Sequence, residues 1–68
     1  MTDQQVLEAI FELDNDAPAR DIANEIGGQV PDVIGKLNTL KGEGLVESNG
    51  SAFELTDAGY DRLEQITA

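Results

Sequence analysis

The sequence predicts a mainly α-helical, single compact domain with a small β-hairpin, in the order α-β-α-α-β-β-α. Three observations lead to this fold class. Two amphipathic segments in the middle of the chain are separated by the pair Gly27-Gly28. Further along, Asn49-Gly50 lies between two strand-like runs, which is a strong local signal of a hairpin. A chain of 68 residues has room for one domain with one small core.

The first element is predicted to be a helix of about three turns that begins after Thr2. Thr2 and Gln5 have the spacing of a capping box. An apolar stripe at helical spacing is formed by Val6, Leu7, Ile10, Phe11 and Leu13. Asp14-Asn15-Asp16 ends the helix, because such side chains compete for backbone hydrogen bonds and favour turns. Ala17-Pro18 is expected to be extended and to add a short edge strand to the hairpin.

Two short helices joined by a tight turn are predicted next. The apolar face of the first is formed by Ile22, Ala23 and Ile26. The apolar face of the second is formed by Val33, Leu37 and Leu40. Gly27-Gly28 supplies the φ freedom for the turn, and Gly44 is the expected left-handed cap of the second helix. Two short helices this close must cross steeply, which is typical of a helix-turn-helix.

A hairpin and a last helix complete the predicted fold. Asn49-Gly50 is expected to form a type I′ turn between the runs 45–48 and 51–55. Val46, Phe53 and Leu55 would face the core, with Glu47 and Glu54 facing water. Thr56 is the expected cap of the last helix, where Gly59 permits close approach to a neighbour. The apolar stripe of this helix is predicted to be Tyr60, Leu63 and Ile66.

Charge is the unusual feature of the composition. Asp and Glu number 14 and Lys and Arg number 4, a formal net charge of -10. The acids are spread along the whole chain, so at low salt they repel one another and destabilise the compact state. At molar salt the Debye length falls to about 3 Å and this penalty largely disappears. The composition therefore favours a halophilic, archaeal-type origin; an acidic protein of a mesophile is the alternative.

The composition also limits the function. The chain has no Cys and no His, which excludes disulfides, thiol nucleophiles, imidazole bases and ordinary zinc sites. No constellation of catalytic groups is visible, so we expect a protein that is not an enzyme and has no cofactor. No apolar run approaches the roughly 20 residues that span a membrane, and no signal-peptide pattern opens the chain. A cytoplasmic protein is expected.

Three motifs follow one another in the middle and second half of the chain. They are Ile22-Ala23-x-x-Ile26-Gly27, Val33-x-x-x-Leu37-x-x-Leu40-x-x-x-Gly44-Leu45-Val46 and Phe53-x-Leu55-Thr56-x-x-Gly59. In these motifs the chain resembles the winged helix-turn-helix domains of bacterial and archaeal transcription regulators of the MarR-like and ArsR-like classes. The resemblance covers residues 17 to about 63.

The resemblance implies a transcriptional regulator that binds double-stranded DNA, with the helix at about 31–43 in the major groove and the 45–55 hairpin as the wing. The contact positions that it implies are Arg20, Gln29, Pro31, Asp32, Ile34, Gly35, Lys36 and Thr39, together with the wing tip Ser48, Asn49, Gly50 and Ser51. Lys36 would contact a phosphate or guanine, and Gln29 a base edge or phosphate. Backbone N–H groups at the helix starts would hold further phosphates. A DNA-binding form is expected to be a homodimer, with the terminal helices available as its seam.

The sequence also departs from this family pattern. The reading helix offers only Lys36 and Lys41, Asp32 near its start would compete with a phosphate, and the wing has no basic residue. The alternative function is a winged-helix module that binds a protein partner. Ile34 is the most informative residue for this alternative: buried, it extends the core stripe, whereas exposed, it favours a protein partner. Lys36 and Arg20 can also be interpreted as ordinary solvated charges.

Overall fold

Four helices and a three-stranded antiparallel sheet form the part of the chain that the structure describes. The structure is a computed structural model, which describes residues 2–67 and the side chains of residues 2–64. The helices are α1 (Asp3–Glu12), α2 (Ala19–Ile26), α3 (Val30–Gly42) and α4 (Asp57–Thr67), and the strands are β1 (Ala17–Pro18), β2 (Val46–Asn49) and β3 (Ala52–Leu55). The predicted class, mainly helical with a small sheet, is confirmed.

The sheet has the order β1-β3-β2. Ala17 pairs with Phe53 and Pro18 with Ala52, so the predicted edge strand is present. Pro18 lacks an N–H, and an edge position tolerates that loss. The turn before β1 also contacts β3, since the side chain of Asn15 accepts a hydrogen bond from the N–H of Leu55 at 2.6 Å. The sheet therefore joins the end of α1 to the hairpin.

The predicted type I′ turn at Asn49-Gly50 is wrong. Asn49 pairs with Ala52, so the two loop residues are Gly50 and Ser51. Only Gly50 has a positive φ, 68°, which fits a type II′ turn with glycine in its first central position. In this register Val46 pairs with Leu55, and both side chains are buried. The preceding residue, Leu45, closes the end of α3, where its N–H donates to the carbonyl of Leu40 at 3.0 Å. The first strand therefore begins one residue later than its apolar pattern suggests.

This register brings two glutamates together. Glu47 pairs directly with Glu54 on the outer side of the hairpin, while Val46 pairs with Leu55 on the buried side. A hydrogen bond between the two carboxyl groups raises the pKa of Glu54 above its ordinary value, and partial burial and the charges of Glu47 and Asp16 raise it further. Like charges directly opposite one another destabilise a strand pair. The hairpin is thus weakest when both carboxyl groups are ionised.

Glu54→Gln is expected to raise the melting temperature of the protein at neutral pH, measured at the lowest potassium chloride concentration that gives a cooperative transition. Because the folded protein holds the Glu54 proton more tightly than the unfolded chain, this site favours folding below its ordinary pKa and loses that contribution as pH rises through the raised pKa. The melting temperature of the variant should therefore increase most at pH values above the raised pKa of Glu54 and little at pH values below its ordinary pKa. Thermal unfolding, followed by circular dichroism at several pH values across this range, measures the change in melting temperature. Glu43→Gln, outside the hairpin, is the control. An equal gain in both variants would contradict the assignment.

The core confirms most of the predicted stripes. Val6, Leu7 and Ile10 of α1 pack with the inner faces of α2 and α3 and with Val46, Leu55 and Leu63. Ile26 and Phe53 are partly buried against this core. Two predicted core residues are exposed instead, Phe11 by 52% and Tyr60 by 36%. The core is small and the other apolar side chains of α1 and α4 already fill it, so the rings of Phe11 and Tyr60 lie at the edge of the core. The prediction for Ile66 falls outside the side chains that the structure describes.

The ends of the helices follow the predicted local signals. Thr2 and Gln5 form both hydrogen bonds of the capping box, and the hydroxyl of Thr56 accepts a hydrogen bond from the N–H of Gly59 at 3.1 Å. Gly27 and Gly44 end α2 and α3 with φ values of 70° and 79°. These positive φ values are the backbone conformation that glycine adopts without strain. Among the described helices, none combines the length and apolar character needed to cross a membrane.

Candidate nucleic-acid interface

Helix α3 is held by one face and presents the other to solvent. Its inner residues, Val33, Leu37 and Leu40, are fully buried, as predicted. The opposite face consists of the exposed residues Pro31, Asp32, Gly35, Asn38 and Thr39. At 3.6 residues per turn, these positions lie on the side away from the buried stripe. The outer face of α3 is therefore available to a ligand.

The charge of α3 differs from that of the rest of the molecule. It holds Lys36 and Lys41 against the single acid Asp32, so it is net positive. The other described helices and both strands of the hairpin each hold more acidic than basic residues. In a protein whose formal net charge is -10, α3 is thus the described helix best suited to an anion. The uncharged turn 27–29 in front of it adds no acid.

Lys36 lies on the flank of α3 that faces α1. Its Nζ forms an ion pair with the carboxylate of Asp3 at 2.7 Å, and both side chains are only partly exposed. Asp3 is in the first turn of α1, where the helix dipole favours a negative charge. The lysine predicted to contact DNA is therefore already paired within the molecule. A phosphate would have to replace the Asp3 carboxylate.

Lys41 joins the end of α3 to the hairpin. Its Nζ donates a hydrogen bond to the hydroxyl of Ser48 at 3.1 Å. Ser48 is one of the predicted contact positions and Lys41 is not, although the two side chains are in contact. Ser48, Asn49, Gly50 and Ser51 at the end of the hairpin are all exposed and uncharged. Lys41 is therefore a cation that the described contacts place directly beside the candidate wing.

The other flank of α3 carries exposed apolar side chains. Ile34 is 43% exposed and Val30 is 37% exposed. Residues four apart lie on the same side of a helix, so the two form one apolar strip. The interpretation in which Ile34 extends the core stripe is wrong. Lys36 occupies the opposite flank, because residues two positions apart point to opposite sides of a helix. Its ion pair with Asp3 shows that this flank faces α1.

The candidate contact residues divide into two groups in the structure. A shallow depression on α3 brings together Pro31, Asp32, Gly35, Lys36 and Thr39. Arg20, Gln29, Ile34 and the end of the hairpin do not line it. The hydroxyl of Thr39 donates to the carbonyl of Gly35 at 3.2 Å, which leaves its methyl group and a lone pair for a partner. Gln29 precedes α3 but makes no capping hydrogen bond with its side chain.

Asn38 is a candidate that the sequence analysis missed. It is exposed on the outer face of α3, next to Thr39. An asparagine amide can form two hydrogen bonds with the edge of an adenine in the major groove. The signal was present in the sequence, because the predicted inner positions Val33, Leu37 and Leu40 place residue 38 on the outside.

The described residues contain no group of His, Cys, Asp and Glu side chains that could hold a metal ion. In comparisons with known proteins, no family model matches the chain and no curated protein matches it. The functional interpretation is therefore based on the fold and on the surface of α3. What α3 offers is a helix with a small outer face on which Asp32 is the single charged residue, a lysine on one flank, a second lysine near its end and a hairpin beside that end.

Proposed function

We propose that the protein is a winged helix-turn-helix transcriptional regulator that binds double-stranded DNA, resembling MarR-like and ArsR-like regulators. In this proposal α3 enters the major groove and the hairpin of β2 and β3 is the wing. The observation that supports it most strongly is α3 itself. This helix is anchored by three fully buried aliphatic side chains, its outer face is exposed, and it is net positive in a strongly acidic protein.

The outer face of α3 has the shape that a groove contact needs. The major groove is about 12 Å wide and admits one helix. Gly35 is at the centre of this face, and a Cβ at that position would meet no other atom within 4 Å, so the space in front of the backbone is open. Asn38 and Thr39 would contact base edges. The first N–H groups of α3, which receive no hydrogen bond from the side chain of Gln29, would hold a phosphate.

The charges predict how binding depends on salt. Arg20, Lys36 and Lys41 are the three cations near α2, α3 and the hairpin. Three phosphate contacts give a slope of log K against log salt of about −3 for each protomer, which is shallow for a DNA-binding protein. The acidic remainder of the molecule repels DNA until salt screens it. Specific binding is therefore expected to persist at high potassium concentration.

The test is to select bound sequences from random duplexes at several potassium chloride concentrations and then to measure the affinity of variants for the selected duplex. Lys36→Glu is expected to weaken binding by about tenfold or more, because it removes a phosphate contact and adds a repulsive charge. Arg62→Glu, the same change of charge on α4, should leave the affinity within about twofold. No selected duplex at any salt concentration, or equal losses in both variants, would overturn the proposal.

Removing the carboxylate that pairs with Lys36 should strengthen DNA binding. Asp3→Asn frees the ammonium group from its ion pair. A partly exposed pair contributes about 1 kcal/mol or less, which corresponds to a gain in affinity of up to about fivefold. Asp57→Asn is the matched control, since it removes an acid from the first turn of α4. If both variants gain equally, the effect is general electrostatics, and Lys36 is not the contact.

A second function is favoured by one observation, the exposed strip of Val30 and Ile34. Apolar residues amid acidic ones are a feature of protein docking surfaces. In this alternative the winged helix is a protein-interaction module that does not bind nucleic acid. It predicts no DNA binding at any salt concentration, together with a protein partner whose binding is lost in Ile34→Asp. The two functions are thus separated by the same set of measurements.

A further inference from the structure

A second exposed surface lies between the terminal helices, at residues the proposed DNA contact does not use. The rings of Phe11 on α1 and Tyr60 on α4 contact each other edge to face, with centroids 6.3 Å apart and planes at 87°. Phe11 is 52% exposed and Tyr60 is 36% exposed. Large rings exposed together on a small domain are typical of an interaction site, because they supply contact area with little loss of conformational entropy.

The two rings line a shallow pocket with a charged rim. Its other lining residues are Glu8, Glu12, Leu63 and Glu64. Glu8 and Glu12 also line a neighbouring groove on the opposite side of α1, where Glu25 of α2 forms part of the wall. These two glutamates therefore form an acidic ridge between two depressions. The combination is an apolar, aromatic floor with carboxylates along its edge.

We propose that this pocket docks a cationic, amphipathic segment of a protein partner, in which an aliphatic side chain is flanked by lysine or arginine. The aliphatic group would cover the exposed rings, and the cations would reach the rim carboxylates and the faces of the rings. A nucleic acid does not fit, because its phosphates would meet the glutamates. A second copy of this chain would place one acidic rim against another, which like-charge repulsion disfavours.

The fluorescence of Tyr60 can report on binding in this pocket. Tyr60 is the single tyrosine of a chain without tryptophan, so the tyrosine emission comes from the pocket alone. The test ligand is a helical peptide with leucines on one face and lysines on the other, which has no fluorescence of its own. Titration is expected to change the Tyr60 emission in a saturable way. A peptide with glutamate in place of lysine should cause no change.

Matched variants separate docking from general attraction. Phe11→Ser should weaken binding by about tenfold or more, whereas Ile34→Ser, at another exposed apolar residue, should have little effect. Glu12→Lys should likewise weaken binding more than Glu43→Lys, an identical change of charge at the end of α3. Circular dichroism checks that each variant is folded, and these variants do not alter the lysines of the proposed DNA contact.

Three results would overturn the inference. Equal losses in each variant and its control would show that the peptide is held by net charge alone. Binding of the glutamate peptide as tight as that of the lysine peptide would show that the rim does not select cations. A dimer in sedimentation experiments that dissociates in Phe11→Ser would show that the pocket is occupied by a second copy of this chain, as a seam between terminal helices.

Discussion

Gly59→Ala is expected to cost about 3 kcal/mol or more of stability, the largest effect of any single substitution considered for this protein. A Cβ at Gly59 would overlap the carbonyl oxygen of Leu45 and would lie 3.3 Å from Cδ2 of Leu55. The Leu45 carbonyl is fixed, because it accepts a hydrogen bond from the N–H of Thr56 at 3.1 Å. A domain of this size has a total stability of about 3 to 10 kcal/mol, so the variant should be largely unfolded or close to unfolding.

Gly35→Ala is the matched control for this experiment. Gly35 is in the interior of α3 and has no atom within 4 Å of the Cβ position. Alanine is the better helix former by about 1 kcal/mol, so this variant should be more stable than the wild type. Urea unfolding of both variants, followed by circular dichroism at 222 nm, gives the two changes in free energy. A Gly59→Ala protein as stable as the wild type would show that α4 does not pack against Leu45 as described.

Stability that depends strongly on salt is the second large effect. The net charge of -10 opposes folding, and the cross-strand pair of Glu47 and Glu54 concentrates part of that repulsion in the hairpin. A core this small leaves little stability to offset it. We expect loosened or unfolded protein in millimolar potassium chloride and a cooperative thermal transition in molar potassium chloride. The melting temperature should rise with salt until the charges are screened.

A variant with fewer acids separates screening from other effects of salt. Replacing the exposed carboxylates of Glu43, Glu47 and Asp61 by amides should lower the salt concentration at which the cooperative transition appears. An effect of salt on hydrophobic burial would leave that concentration unchanged in the variant. Full cooperative structure of the wild type in millimolar salt would contradict the prediction, and it would also count against a halophilic origin.

Local signals in the sequence determined much of the fold. The capping box of Thr2 and Gln5, the turn at 14–16 and the left-handed glycines 27 and 44 depend on residues a few positions apart. Periodicity also determined which side of α3 is buried, because Val33, Leu37 and Leu40 can share one face only in one orientation. From that orientation follows the outer face, including Asn38, that the proposed DNA contact uses.

The tertiary structure decided what each face meets. Three features depend on contacts between different elements. They are the ion pair of Lys36 with Asp3, the exposure of Ile34 and Phe11, and the strand register that pairs Glu47 with Glu54. Helical periodicity gives the direction of a side chain but not the element opposite it. The Asn-Gly signal likewise does not include the core, in which the observed register pairs the buried Val46 with the buried Leu55. The local backbone sets the direction of a side chain. The residue that it contacts is set by how all the helices and strands pack their limited apolar surface into one core.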